Sequence, residues 1–131
     1  MFRIGVDSGS NRMKVHCWDK IEHERMTPEV ARRVIHSERM TTARIFMKKG
    51  AVIPRHSHDN EQLSHVIEGR LLFEFDGESQ EVGAGEIMEI PSRAPHRVTA
   101  LEDSLAMDVF APAREDWLRG DDAYLRNPAE G

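Results

Sequence analysis

Three side chains able to hold a metal ion stand close together near the middle of the chain. They are His56, His58 and Gln62, inside the stretch GAVIPRHSHDNEQLSHVIEG that runs from Gly50 to Gly69. Side chains alternate between the two faces of a β-strand, so two histidines two residues apart face the same side. Asp59-Asn60 is a turn signal, and the run from Gln62 to Ile67 that follows has strand composition. Two adjoining strands can therefore bring three nitrogen or oxygen donors to one interior point, which is how a metal site is built inside a small β-barrel. Imidazole suits zinc, nickel, iron, manganese or copper. A second chemically loaded residue is Asp108, which shares a strand face with Ala106 and Phe110. An inward carboxylate is costly to bury unless something uses it: a metal, a substrate proton, or an ion pair with Arg114 or Arg44. Four other histidines, His16, His23, His36 and His65, read as ordinary core or surface residues. His65 lies an odd number of positions from Gln62 and faces away from the metal donors.

The elements that must position these groups are short and punctuated. Val30 to His36 and Thr41 to Lys48 are expected as an antiparallel pair joined by a turn over Ser37 to Met40, with Ala43, Ile45 and Met47 on one face. Arg70 to Phe75 and Ser79 to Val82 flank Asp76-Gly77, the signature of a tight hairpin. Glu86 to Ile90, Arg97 to Ala100 and Leu105 to Phe110 follow as further strands, and Arg114 to Arg119 as a short helix carrying Trp117. Short strands at near-regular spacing with Gly and Pro breaks indicate an all-β barrel or sandwich. Met88 and Met107 are expected to fill the core or shape a pocket. At 131 residues the chain is long enough for one domain. A net charge of −5 gives no basic field for nucleic acid. The single Cys17 cannot close an intrachain disulfide, so a reducing cytoplasm is the expected setting. No apolar run is long enough to span a membrane, and the N-terminus lacks a signal-peptide core. Met1 to Met13 is expected as a peripheral strand or a loosely held start.

Two spaced motifs carry a family resemblance. Gly50-x5-His56-x-His58-x3-Gln62-x6-Gly69 resembles the first cupin motif, with glutamine in place of the usual glutamate. Gly85-x5-Pro91-x-Arg93-x2-His96-x3-Ala100 resembles the second, with Arg93 replacing a glycine and Ala100 an asparagine. The resemblance covers roughly residues 30–118. It implies a jelly-roll-like double-stranded β-helix barrel with six strands per face and a divalent transition metal held by His56, His58, Gln62 and His96. An amide oxygen neutralises none of the metal charge, so a glutamine site should bind metal less tightly and act as a stronger Lewis acid.

A third segment, Asp108-Val109-Phe110-Ala111-Pro112-Ala113-Arg114, resembles the DVF-x-P-x-R segment of the pectin-degradation cupins of KdgF type. Those proteins turn 4,5-unsaturated uronates into the open-chain keto form. The resemblance implies that Asp108, Phe110 and Arg114 line an active site, with Asp108 moving a proton, Phe110 excluding water and Arg114 clamping the substrate carboxylate. Its cofactor would be nickel, zinc, manganese or iron, and its partner a small sugar acid. Two other classes stay open at this point: a metal-dependent cupin dioxygenase of a small enol or diketone, and a non-catalytic small-molecule-binding cupin. Arg93 adds a positive charge near the mouth that either recruits an anion or is simply solvated. Small cupins usually form homodimers, and Trp18 with the Val30 to Ile35 strand are the expected contributors. The expected layout is an N-terminal extension or peripheral strands over 1–29, a barrel over 30–118 and a polar surface tail over 119–131.

Overall fold

Strict alternation builds the central strands. In TTARIFM, Thr41, Ala43, Ile45 and Met47 are buried and the residues between them are not. The same period places Gln62, Ser64 and Val66 inward on one strand, and Ser104, Ala106 and Phe110 on another. A computed structural model describes residues 13–126. It contains ten strands: β1 (Glu24–Thr27), β2 (Val30–His36), β3 (Thr41–Met47), β4 (Val52–His56), β5 (Glu61–Glu68), β6 (Arg70–Phe75), β7 (Glu78–Gly83), β8 (Ile87–Ile90), β9 (His96–Ala100) and β10 (Ser104–Ala111). Two four-residue helices follow, α1 (Glu115–Leu118) and α2 (Ala123–Arg126).

The strands form two antiparallel sheets whose inner faces pack on one another, an all-β barrel. The first sheet has six strands in the order β1-β2-β3-β10-β5-β8, and the second has four, β4-β9-β6-β7. This corrects the expectation of six strands on each face. The first sheet is widened by β1, whose Glu24 and Arg25 pair with Arg32 and Ala31 of β2, so the extra pairing accrues to one side only. Met26 lies in the stretch 1–29 expected as an N-terminal extension or peripheral strands, yet it is buried in the core. The stretch Met1 to Met13, expected as a peripheral strand or a loosely held start, lies almost wholly outside the described residues.

Turn chemistry pins the register. Gly69, last residue of the first motif, has φ +88, and a Cβ there would collide with Ser104 and the Asp103 carbonyl. Only glycine combines that left-handed backbone with so close an approach. Arg93 stands where the second motif has glycine, and its φ of 68 is left-handed too. Its amide is fixed by the His58 carbonyl at 2.8 Å, so the family's preference for glycine follows from the backbone at this point.

Candidate metal centre and active-site cavity

The three histidines reach one point from different elements. His56 ends β4 and lies opposite His96, which begins β9. His58 is not on the strand, as the alternation argument had it. β4 stops at His56, and His58 reaches the cluster from the loop, its backbone carbonyl bonded by Arg93 and its ring by Asn60. Each Nδ1 donates to a main-chain carbonyl: His56 to Pro54 at 2.8 Å, His58 to Asn60 at 3.0 Å, His96 to Ala94 at 2.8 Å. A carbonyl can only accept, so each ring keeps its proton on Nδ1 and turns the Nε2 lone pair inward. One ligand atom from each of the three lies within 4.8 Å of the others. Carbonyl-anchored imidazoles of this kind are the usual outer support of metal-binding histidines.

Gln62 completes the set. It is buried on β5, with Oε1 3.0 Å from Nε2 of His58. With the His58 proton on Nδ1, two acceptors face each other there, an arrangement that a shared cation makes favourable. The amide nitrogen is turned toward Asp108, whose charged form it stabilises by a hydrogen bond. Three neutral imidazoles and one amide oxygen fit a divalent transition metal. Burial lowers His56 to about 3, helped by the nearby His96, and lowers His58 to about 4, helped by Arg114. His96 is also lowered, chiefly by burial. All three are therefore ready as ligands at neutral pH.

These shifts predict the acid behaviour of the metal-free protein. Unfolded histidines protonate near 6.5 while the folded ones resist, so the unfolded state binds more protons as pH falls toward about 3. Stability should fall steadily through that window. Asp108, raised in the fold, opposes the trend between about 6 and 3.8, but it is one group against three. Urea unfolding midpoints of chelator-treated protein at pH 7, 6, 5 and 4 should decline in that order, and a flat series would contradict the neutral cluster.

Beside the cluster is a small, partly open cavity of about 40 Å³, lined by His56, His96, Gln62, Asp108, Phe110 and Arg114 among others. Asp108 points inward from β10 and accepts a short hydrogen bond from the Ser64 hydroxyl of β5, directly opposite. Burial raises its carboxyl to about 6, against the Ser64 and Gln62 hydrogen bonds and the Arg114 charge. Among the described residues neither Arg114 nor Arg44 forms an ion pair with it, so the structural-pair alternative does not hold. Phe110 is buried and meets His58 edge-on, with ring centroids 5.7 Å apart.

Arg114 differs from expectation. It is 1 % exposed, and its Nε and Nη2 form a fork onto Asp116 at 2.9 and 2.8 Å. Nη2 also donates to the Tyr124 hydroxyl at 2.9 Å. The guanidinium lies 4.7 Å over Phe110 and 4.2 Å over Trp117. The edge expected to clamp a substrate carboxylate is thus taken by Asp116, because α1 begins directly after Arg114 and brings that carboxylate back. Among the described residues, only Nη1 has no partner.

Sequence reading missed several neighbours. Ser64 could have been found two residues past Gln62 on the same strand face. Asn60, read as a turn residue, is buried and donates to the Ala113 carbonyl at 3.2 Å, tying the histidine loop to the segment after β10. Within the polar tail expected over 119–131, the described residues 119–126 are mostly exposed but anchored by three side chains: Asp122 and Leu125 are buried and Tyr124 lines the cavity. Burial there follows from a strong partner, since Asp122 accepts from the equally buried Arg32 at 2.6 Å. Met88 and Met107 do not line the cavity; Met47 does. Arg93 is exposed and pairs with Asp59 at 2.8 Å.

Comparison with known proteins adds to this geometry. A family model described as Cupin domain matches residues 43–111. The structure of KdgF from a Halomonas species is 28% identical, with TM-score 0.70, over 76% of this chain and 94% of that one. An RmlC-like cupin from Shewanella frigidimarina is 25% identical, with TM-score 0.74, over 81% and 96%. Oxalate decarboxylase of Bacillus subtilis, which has Mn(II) centres, shares the fold at 21% identity and TM-score 0.66, over 79% of this chain and 31% of that one. No curated protein matches the sequence.

Proposed function

The chain belongs to the cupin family, and from that premise we propose that it is a metal-dependent isomerase that opens 4,5-unsaturated uronates to their linear keto form. The observation that carries the reading is Asp108, a carboxyl raised to about 6 inside a cavity that also holds the three-histidine cluster. Its likeness to KdgF supports the same choice.

The reaction moves one proton off the substrate and one on. The C1 hydroxyl loses its proton and becomes an aldehyde as the C1–O5 bond breaks. The electron pair passes to O5, leaving an enolate across C4, C5 and O5, and protonation at C4 leaves a ketone at C5. No oxidant or second substrate is needed. A carboxyl that titrates near neutral pH can accept the first proton and return the second, which an ordinary carboxylate does poorly as an acid. Ser64 holds the Asp108 carboxyl in one orientation. Phe110 and Trp117 keep bulk water from the enolate. Arg114 supplies positive charge for the uronate carboxylate through Nη1, with Asp116 fixing the plane of its guanidinium. A metal held by His56, His58, Gln62 and His96 would supply Lewis-acid stabilisation of developing oxygen charge.

The decisive assay follows the C4=C5 absorbance of an unsaturated galacturonate monomer under anaerobic conditions. Loss of that absorbance with a new ketone carbon in NMR is the expected result. No change over many enzyme equivalents of time, or activity only with O2 uptake, would remove this function in favour of binding or dioxygenase chemistry. The same reading includes a homodimer in the cytoplasm. Leu63, Ile67 and Ile87 give the outer face of the six-stranded sheet an exposed apolar set, and Cys17 is exposed and unpaired. No helix among the described residues is long and apolar enough to cross a membrane.

A further inference from the structure

The segment after α1 covers the cavity, yet its backbone is not tied to the barrel. Among the described residues its main-chain hydrogen bonds stay local: Gly120 N to Trp117 O at 3.1 Å, Asp121 N to Asp116 O at 2.7 Å, Leu125 N to Asp122 O at 3.0 Å. A four-residue helix has no stability of its own. Side chains hold it instead. Asp122 accepts from Arg32 of β2 at 2.6 Å, and Arg126 donates to Glu24 of β1 at 3.3 Å. The Tyr124 hydroxyl accepts from Arg114 Nη2 at 2.9 Å and from Trp117 Nε1 at 3.2 Å. The Tyr124 ring stacks on His56, 4.5 Å between centroids and 27° between planes. The segment leaves α1 at Gly120, whose φ of +83 is the left-handed turn that glycine adopts without strain.

Beneath this cover the cavity of about 40 Å³ has room for a few water molecules and no more. A six-carbon acid that touches Asp108 needs several times that space, so the cover has to move before such a ligand can enter. The group that holds Tyr124 in place is also the cation that a carboxylate would seek. Closure and anion binding therefore compete for Arg114.

We propose that residues 121–126 are a gate over the active-site cavity, hinged at Gly120, and that Tyr124 keeps it shut by holding Nη2 of Arg114, the nitrogen that together with the free Nη1 beside it would be offered to an entering carboxylate. This makes Tyr124 a residue that sets access and affinity. The gate itself follows from packing alone and rests on the uronate reading only for the choice of ligand.

Two measurements on metal-loaded full-length protein test it. Amide hydrogen exchange of residues 120–126 should be far faster than that of β5 and β10. Tyr124→Phe, which keeps the ring on His56 and removes the hydroxyl, should speed it by a further ~10-fold with the barrel unchanged. Asp122→Asn should act in the same direction. Equal protection of this segment and β10, unaltered by either variant, overturns the gate. The second measurement is calorimetric titration with D-galacturonate, a saturated uronate that cannot react. Closure lowers apparent affinity by the fraction of open protein, so Tyr124→Phe should bind several-fold more tightly. Equal or weaker binding by Tyr124→Phe overturns the competition for Arg114. If neither protein binds D-galacturonate, the uronate reading fails, and the exchange data still decide the gate.

Discussion

Asp108→Asn should lower turnover of an unsaturated uronate by about 10²–10⁴-fold, the range that a positioned acid-base group contributes. Metal content, measured by mass spectrometry on protein purified without chelators, should stay near one ion per chain, because all four donors remain. The same substitution should make the metal-free protein more stable above pH 6. Burial raises Asp108 from its ordinary 3.8 to about 6, so the folded state resists its charge. Its contribution is most favourable below 3.8 and is lost as pH rises through about 6. Removing the charge should recover up to about 3 kcal/mol at pH 7 to 8. Water in the cavity reduces this figure. Asparagine keeps the volume and an oxygen for the Ser64 hydroxyl, so cavity creation does not obscure the comparison. A more stable protein that has lost its activity is the mark of a residue kept for chemistry. Retained activity would remove Asp108 from the mechanism, and reduced stability at pH 8 would contradict the buried, unpaired carboxylate.

The parts of the fold visible in the sequence are those where one physical signal acts alone. Strands β2, β3, β5, β6 and β10 are short runs of strand-forming residues bounded by turn signals, and Asp76-Gly77 admits few backbone conformations, so these elements and the one hairpin could be inferred. The meeting of His56, His58 and His96 was legible because the two motif spacings set them at the ends of short neighbouring strands. What escaped notice depends on partners distant in the chain. Nothing local shows that Met26, between Arg25 and Thr27, belongs to the core, since its burial comes from pairing across to β2. Nothing in Asp-Asp-Ala-Tyr-Leu-Arg shows inward packing, because the cause is Arg32, ninety residues earlier. Asp116 shows the limit most clearly. Resemblance assigned Arg114 to the substrate, and a two-residue step into α1 gave most of its fork to an internal carboxylate. Periodicity reports which face a residue occupies and says nothing of which partner wins its hydrogen bonds.

Loss of His96 should abolish metal binding more completely than loss of any other single donor. It is 1 % exposed and lies directly opposite His56, so no water reaches its place to substitute as a ligand without reorganising both sheets. His58, by contrast, sits on a loop and is partly exposed, and water can stand in for it. Removing a supporting partner of a metal ligand already costs 10–100-fold in affinity, so deleting this ligand should cost at least about 100-fold. The thermodynamic signature is separable from activity. A metal present at a hundred times its dissociation constant stabilises the fold by about 2.7 kcal/mol, so EDTA should lower the melting temperature of the natural protein clearly. In His96→Ala the EDTA effect should vanish, leaving one lower melting temperature with or without nickel or zinc. That lower value will include the cost of a buried side-chain deletion, which is why the chelator-dependent difference is the quantity to compare. His65→Ala is the control: the ring is on the outer face of β5, opposite Met107 and Ile87, and its loss should leave the EDTA shift intact. An EDTA shift that persists in His96→Ala would mean that the metal stabilising this protein is held elsewhere, and the four-donor centre would have to be abandoned.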